Sequence, residues 1–121
     1  MKSVCPSSLF TETEKNLLLD VREKFEFDTY RAIFSHQINI PFSEFDDEIN
    51  SLSKNQKIIL VCNNGLRSRT AAQFLKERGF HNVSYINGGL VKWQQNDLGI
   101  AGNPPDLISH SLSLTKECSS Q

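Results

Sequence analysis

Hydrophobic residues form two kinds of pattern along this chain: short unbroken runs and longer segments of helical character. Five short runs are apolar without alternation, as is typical of strands buried on both faces of a sheet. They occupy residues 2 to 5, 17 to 21, 37 to 40, 57 to 62 and 83 to 86. Segments of helical character lie between them and after the last one, at residues 6 to 15, 23 to 34, 43 to 54, 67 to 79 and 88 to 96. This alternation predicts an α/β fold with a five-stranded, mainly parallel sheet and helices on both faces.

Two of the expected helices have well-marked ends. The segment of residues 67 to 79 carries an apolar stripe and finishes at Gly79, which can adopt the left-handed conformation that ends helices. Ser43 is placed to cap the helix of residues 43 to 54, whose first turn is acidic. Both helices are therefore expected to start or stop at these positions.

The regular pattern decays after Trp93 into a stretch rich in proline, glycine and small polar residues. We expect one domain over residues 1–98 and a polar, flexible tail over residues 99–121. Within that tail, residues 107 to 114 could still add a short strand.

Charge and length exclude several classes of protein. The 121 residues include 13 basic and 14 acidic side chains, and a net charge of -1 argues against a general nucleic-acid or membrane-surface binder. No apolar run approaches the roughly 20 residues that a membrane helix needs. Three scattered cysteines and three scattered histidines favour neither a disulfide framework nor a zinc site. The sequence is interpreted as a cytoplasmic protein with reduced thiols, among which Cys5 is simply a packed residue.

Cys62 ends the fourth apolar run and precedes a short polar loop that leads into a helix. In an open α/β sheet, ligands bind beyond the carboxyl ends of the strands, so Cys62 lies where chemistry is expected. Gly65 can turn the backbone, and Arg67 and Arg69 bracket the helix start. A helix amino terminus and cationic neighbours both favour a thiolate. The alternative is an inert cysteine buried at a strand end, and the residues themselves leave the two readings open.

Four motifs, in order, resemble the rhodanese-like sulfurtransferase family over about residues 3 to 95. They are "LLLDVREKFEF", "INIPFSEF", "CNNGLRS" and "YINGGLVKWQ". The third is similar to the family's catalytic loop, in which a cysteine is followed after three positions by glycine and after five by arginine. Their order and spacing make the resemblance specific.

The resemblance implies a sulfur-accepting nucleophile at Cys62, which would form a persulfide. A small-molecule donor such as thiosulfate or a persulfide would supply the sulfur, and a thiol, cyanide or a sulfur-carrier protein would accept it. The loop would bind the substrate through its amides and through a forked guanidinium at Arg67. That set comprises Asn63, Asn64, Gly65, Leu66, Arg67 and Ser68. No metal or organic cofactor is implied.

Two alternative functions remain at this point. A cysteine phosphatase or arsenate reductase on the same fold has five residues between its cysteine and arginine, whereas four separate Cys62 from Arg67 and Ser68 occupies the next position. A non-catalytic interaction module is disfavoured because the nucleophile is present. Asn63, where the family commonly has Arg or Gln, lowers the positive charge expected around the sulfur.

Other residues in the motifs are expected to support the fold. Asp20 and Arg22 are interpreted as a buried ion pair, Gly88 and Gly89 as a tight turn near the cysteine loop, and Trp93 as a core residue. His36, displaced from the family's usual histidine position, is expected to lie at the surface. Cys118 could receive sulfur from Cys62 or pair with it, although a tail thiol without a role is the simpler reading.

Overall fold

The apolar run that leads into Cys62 forms the central strand of a parallel sheet. A computed structural model describes residues 3–6 and 16–103. Its strands are β1 (Ser3–Val4), β2 (Asn16–Asp20), β3 (Tyr30–Ala32), β4 (Gln37–Asn39), β5 (Lys57–Val61), β6 (Val83–Ile86) and β7 (Ile100–Gly102). Five of them pair in the order β1-β6-β5-β2-β4, all parallel, and β3 pairs with β7 antiparallel. The expected five-stranded α/β architecture is confirmed.

The helices cover both faces of this sheet. They are α1 (Lys24–Thr29), α2 (Phe45–Glu48), α3 (Leu66–Glu77) and α4 (Gly89–Gln95), with short 3-10 turns at Phe42–Glu44 and Ile49–Ser51. Successive residues of β5 point to opposite faces, so Ile58 and Leu60 join one core cluster while Ile59 and Val61 join the other. The first cluster packs against α2 and α3 and includes Cys62; the second packs against α4 and includes Trp93.

Trp93 and the residues after α4 attach the end of the domain to its core. The Trp93 indole has no exposed surface and its Nε1 donates to the carbonyl of Gly99 at 2.8 Å. Beyond it, Arg31 pairs with Ala101 between β3 and β7. Strand β7 thus pairs with β3 up to Gly102, within the stretch that the sequence analysis assigned to the tail. The local sequence of β7 is too short and glycine-rich to indicate a strand that only pairing with β3 creates.

Two further expectations are corrected by the structure. The helical segment expected over residues 23 to 34 is α1 followed by β3, because the backbone becomes extended at Tyr30, with φ of -160° and ψ of 152°. Ser43 lies inside a 3-10 turn and does not cap α2; its hydroxyl instead donates to the Glu23 carboxylate at 3.1 Å. The 3-10 turn begins directly after Pro41, so Ser43 lies inside the turn and not at the amino terminus of a helix.

Some expectations fall outside the described residues. Most of the first expected helix, at residues 6 to 15, lies there, as do the possible strand at residues 107 to 114 and Cys118. Within the described part of the chain, no helix is both long and apolar enough to span a membrane.

Candidate active site

Cys62 immediately follows the central strand and sits under the amino terminus of α3. Its side chain has no exposed surface and its thiol is free. Cys5, by contrast, is disulfide-bonded, so the expectation of a reduced, merely packed Cys5 is wrong. Among the described residues, Cys62 is the thiol available for chemistry.

Two backbone amides point at the Cys62 sulfur. The N–H of Gly65 donates to Sγ at 3.1 Å and the N–H of Ser68 donates to it at 3.3 Å. Gly65 is the N-cap of α3 and Ser68 lies in its first turn, and amides at these positions have no carbonyl partner within the helix. The sulfur thus occupies the anion-binding position at the positive end of a twelve-residue helix. The arrangement can donate two backbone hydrogen bonds to an anionic group at this position.

The loop between strand and helix turns within three residues. Gly65 adopts a φ of +96°, which L side chains rarely take, and this turns its N–H toward the sulfur. The side chain of Asn64 accepts a hydrogen bond from the Leu66 amide at 3.0 Å, closing a local turn. Asn64 and Leu66 are exposed, with 69% of Leu66 accessible. They form the outer surface of the loop and make no contact with Sγ.

A second glycine turn holds the cysteine loop from behind. The amides of Leu90 and Val91, in the first turn of α4, donate to the carbonyls of Cys62 and Asn63 at 2.8 and 2.9 Å. A Cβ on Gly89 would lie 2.3 Å from the Cys62 carbonyl oxygen, so only glycine permits this approach. The expected tight turn at Gly88 and Gly89 is confirmed, and it fixes the peptide planes that carry Cys62 and Asn63.

The Ser68 hydroxyl is a third polar group beside the sulfur. It lies 3.4 Å from Sγ, where it accepts from the thiol, and it donates to the Gly65 carbonyl at 3.3 Å. After ionisation of the thiol, a rotation about the Ser68 Cβ–Oγ bond would redirect the hydroxyl proton to the sulfur. Ser68 can therefore serve either protonation state of Cys62.

Arg67 turns onto α1. Its Nη1 and Nη2 atoms bind Oε1 and Oε2 of Glu26 at 2.7 and 3.0 Å, a two-pronged ion pair. The hydrogen bond from Arg67 is the main cause that lowers the pKa of Glu26, although burial opposes it. The same bond raises the pKa of Arg67, with a smaller contribution from the charge of Cys62. Both partners are ionised across the neutral range.

Asn63 faces a buried polar network. Its Oδ1 accepts from the hydroxyl of Tyr30 at 2.9 Å and from Nη1 of Arg22 at 3.4 Å, while its Nδ2 donates to Glu26 at 3.3 Å. Arg22 is held in turn by Asp20, through Nε and Nη2 at 2.8 to 3.1 Å. Both members of that pair are fully buried, which confirms their structural interpretation.

The six loop residues assigned from the sequence thus divide into three pairs. Gly65 and Ser68 contact the sulfur, whereas the side chains of Asn63 and Arg67 serve the network around Glu26. Asn64 and Leu66 form the exposed outer surface of the loop. Sequence reasoning missed Glu26, because no local signal links it to Arg67, 41 positions away. Tyr30 was missed for the same reason.

Two remaining expectations concern histidine and metal. His36 is exposed near the start of β4, as expected. Over residues 3–6 and 16–103, no group of three or more metal-ligating side chains lies close enough to share an ion.

Comparison with known proteins shows the family to which this chain is similar. The family model described as "Rhodanese-like domain" matches residues 8–96. A thiosulfate sulfurtransferase GlpE of Actinobacillus succinogenes is 36% identical over 89 residues, covering 72% of this chain and 77% of that protein. A tRNA uridine(34) hydroxylase of Pelagibacter ubique is 34% identical over 83 residues, covering 66% of this chain but only 27% of that protein. Relatives thus carry similar domains both alone and within much longer chains.

A solved structure has a similar fold. The crystal structure of a rhodanese-related protein from Thermoplasma volcanium superimposes with a TM-score of 0.75 at 29% identity, covering 84% of this chain and 98% of that one. The similarity extends over nearly the whole of the solved chain.

Proposed function

Because this chain belongs to the rhodanese-like domain family, we propose that it is a sulfurtransferase with Cys62 as its nucleophile. Cys62 accepts a sulfane sulfur, for example from thiosulfate, and holds it as a persulfide. It then passes the sulfur to a thiophilic acceptor such as a thiol, cyanide or a sulfur-carrier protein. The loop of residues 63 to 68 forms the binding site, with the amides of Gly65 and Ser68 as its principal donors.

The observation that carries this proposal is the pair of helix amides aimed at Sγ. With thiosulfate, the Cys62 thiolate attacks the outer sulfur, the S–S bond of the donor breaks and sulfite leaves with the electron pair. The product is a Cys62 persulfide anion, so one negative charge stays on the protein throughout. Donors at 3.1 and 3.3 Å around the sulfur are suited to a small anion that persists between two half-reactions.

Burial of Cys62 adds a step to this mechanism. Because the side chain has no exposed surface, a donor reaches Sγ only when the surrounding loop is displaced. The exposed residues Asn64 and Leu66 lie on the outer surface of this loop. A closed loop would also shield the persulfide from other thiols until an acceptor arrives.

Sulfur uptake tests the proposal directly. The purified protein is incubated with thiosulfate or with cysteine persulfide, and its intact mass is measured. We expect the addition of one sulfur atom, removed by cyanide with release of thiocyanate. Hydrolysis of an aryl phosphate without any sulfur uptake would contradict the proposal and favour the phosphatase alternative, and neither activity would favour an interaction module.

The Ser68 hydroxyl is expected to assist persulfide formation. In Ser68→Ala the amide donor stays but the hydroxyl is lost, and the rate of sulfur uptake should fall about tenfold, the effect of one hydrogen bond to a charged group. Stopped-flow or quenched mass measurements would give the rate.

Thr70→Ala is the matched control for Ser68→Ala. Thr70 is on the same helix and its hydroxyl donates to the Leu66 carbonyl at 3.3 Å, away from the sulfur. Its rate should match that of the wild type. Equal slowing in both variants would mean that loss of a helix hydroxyl, and not contact with Sγ, causes the effect.

A further inference from the structure

Two guanidinium groups, those of Arg22 and Arg67, belong to the network at the cysteine loop, and carboxylates already bind both. Glu26 takes both forks of Arg67, and Asp20 takes Nε and Nη2 of Arg22. Arg22 also donates to the carbonyl of Tyr30 at 2.6 Å. These four charges sum to zero, so the network offers an incoming dianion no net attraction.

Glu26 occupies the positions that an oxyanion would need. Its two carboxylate oxygens form the planar, two-pronged contact with Arg67 that a sulfonate group would otherwise make. It also accepts a hydrogen bond from Nδ2 of Asn63 at 3.3 Å, a second side-chain donor of the loop. Only 17% of the Glu26 side chain is accessible, against 40% for Arg67, so the carboxylate is held in place.

We propose that Glu26 sets the donor preference of this sulfurtransferase, favouring organic persulfides over thiosulfate-like oxyanions. The inference rests on the proposed function of Cys62. Thiosulfate brings two negative charges and must displace Glu26 to reach Arg67. The persulfide group brings at most one charge, and the transferred sulfur needs only the amides of Gly65 and Ser68 that already surround Sγ.

The favoured reaction balances without an added oxidant or reductant. The Cys62 thiolate attacks the outer sulfur of the persulfide RS–SH and forms a new S–S bond. The S–S bond of the donor breaks, and its inner sulfur keeps the electron pair and takes the proton to leave as the thiol RSH. Cys62 ends as the persulfide anion, and no oxyanion leaving group has to be stabilised.

Steady-state kinetics with two donors test this role. Glu26→Gln keeps the shape of the side chain but removes the charge that binds Arg67. We expect kcat/KM for thiosulfate to rise about tenfold, mainly through KM, because a charged two-pronged site becomes available. The ratio of kcat/KM for cysteine persulfide to that for thiosulfate should fall by a similar factor, and Glu26→Asp should restore the wild-type ratio.

Asp28→Asn is the matched control for charge. Asp28 is also on α1, but it is exposed and its nearest cation is Lys24 at 3.9 Å. This variant changes the net charge by the same amount without freeing Arg67, so its donor ratio should stay within about twofold of the wild type. An equal shift in both variants would show a general charge effect and overturn the inference.

Other outcomes distinguish failure of the role of Glu26 from failure of the proposed sulfurtransferase function. Sulfur uptake by the wild type with an unchanged donor ratio in Glu26→Gln, or an equal loss with both donors, overturns the role of Glu26 alone. Uptake from neither donor overturns the sulfurtransferase function and this inference with it.

A measurement on the wild type covers the case in which Glu26→Gln does not fold. Sulfate, an unreactive oxyanion with the charge of thiosulfate, should inhibit uptake from cysteine persulfide only weakly. Half-inhibition well below about 1 mM sulfate would mean that an oxyanion site is open, and would overturn the inference.

Discussion

Cys62→Ser is expected to abolish sulfur uptake completely while leaving the fold intact. A serine hydroxyl is a far weaker nucleophile than a thiolate and cannot hold a sulfane sulfur as a persulfide. The amides of Gly65 and Ser68 would still donate to the new oxygen, so no buried polar group loses its partner. Intact mass after incubation with a donor measures the loss, and thermal unfolding verifies that the variant remains folded.

Cys118→Ser is the control for that experiment. It removes the tail cysteine that the sequence analysis considered for sulfur transfer, at a position outside the described residues. We expect uptake by this variant to equal that of the wild type. Uptake that survives in Cys62→Ser but disappears in Cys118→Ser would place the nucleophile in the tail and contradict the proposed site.

Gly89→Ala is expected to lower the free energy of unfolding by about 3 kcal/mol, the largest effect on stability that we predict. The backbone at Gly89 has a φ of +60°, which costs an alanine about 1 kcal/mol. The added Cβ would also lie 2.3 Å from the Cys62 carbonyl oxygen and 2.7 Å from the Asn63 carbonyl, and forcing these groups apart costs about 2 kcal/mol more. Urea denaturation would measure the loss.

Gly79→Ala separates the cost of a positive φ from the cost of the close Cβ contact. Gly79 has a φ of +92°, but its added Cβ would meet only the flexible side chain of Lys54, at 3.6 Å or more. This variant should lose only the backbone cost of about 1 kcal/mol. If the two variants lost the same stability, the close approach of α4 to the cysteine loop would not be a source of strain.

The Gly89 variant also links stability to function. Because α4 holds the carbonyls of Cys62 and Asn63, a shift at Gly89 should disturb the loop that carries the sulfur. Sulfur uptake by Gly89→Ala is therefore expected to fall even where the protein is still folded, whereas uptake by Gly79→Ala should not.

The sequence by itself determined the sheet and the family, and it indicated Cys62 as the candidate nucleophile. Unbroken apolar runs mark buried parallel strands because both faces of such strands exclude water, and β6 begins and ends at the residues that the pattern predicts. The family that four motifs indicate is confirmed by the match over residues 8–96. A strand, a glycine turn and a helix start are local features of the sequence. They made it possible to identify Cys62, Gly65 and Ser68, because together they direct backbone amides toward the sulfur.

Tertiary structure alone decided what surrounds that sulfur. The strands β3 and β7 form because each satisfies the other's backbone hydrogen bonds, across about 70 residues of chain that no local pattern can connect. Arg67 looks like an oxyanion ligand in the sequence, but folding brings Glu26 within 2.7 Å and supplies it with a carboxylate. A local motif specifies backbone geometry around Cys62, while the charged groups around the cysteine loop depend on distant side chains that only the packed fold brings together.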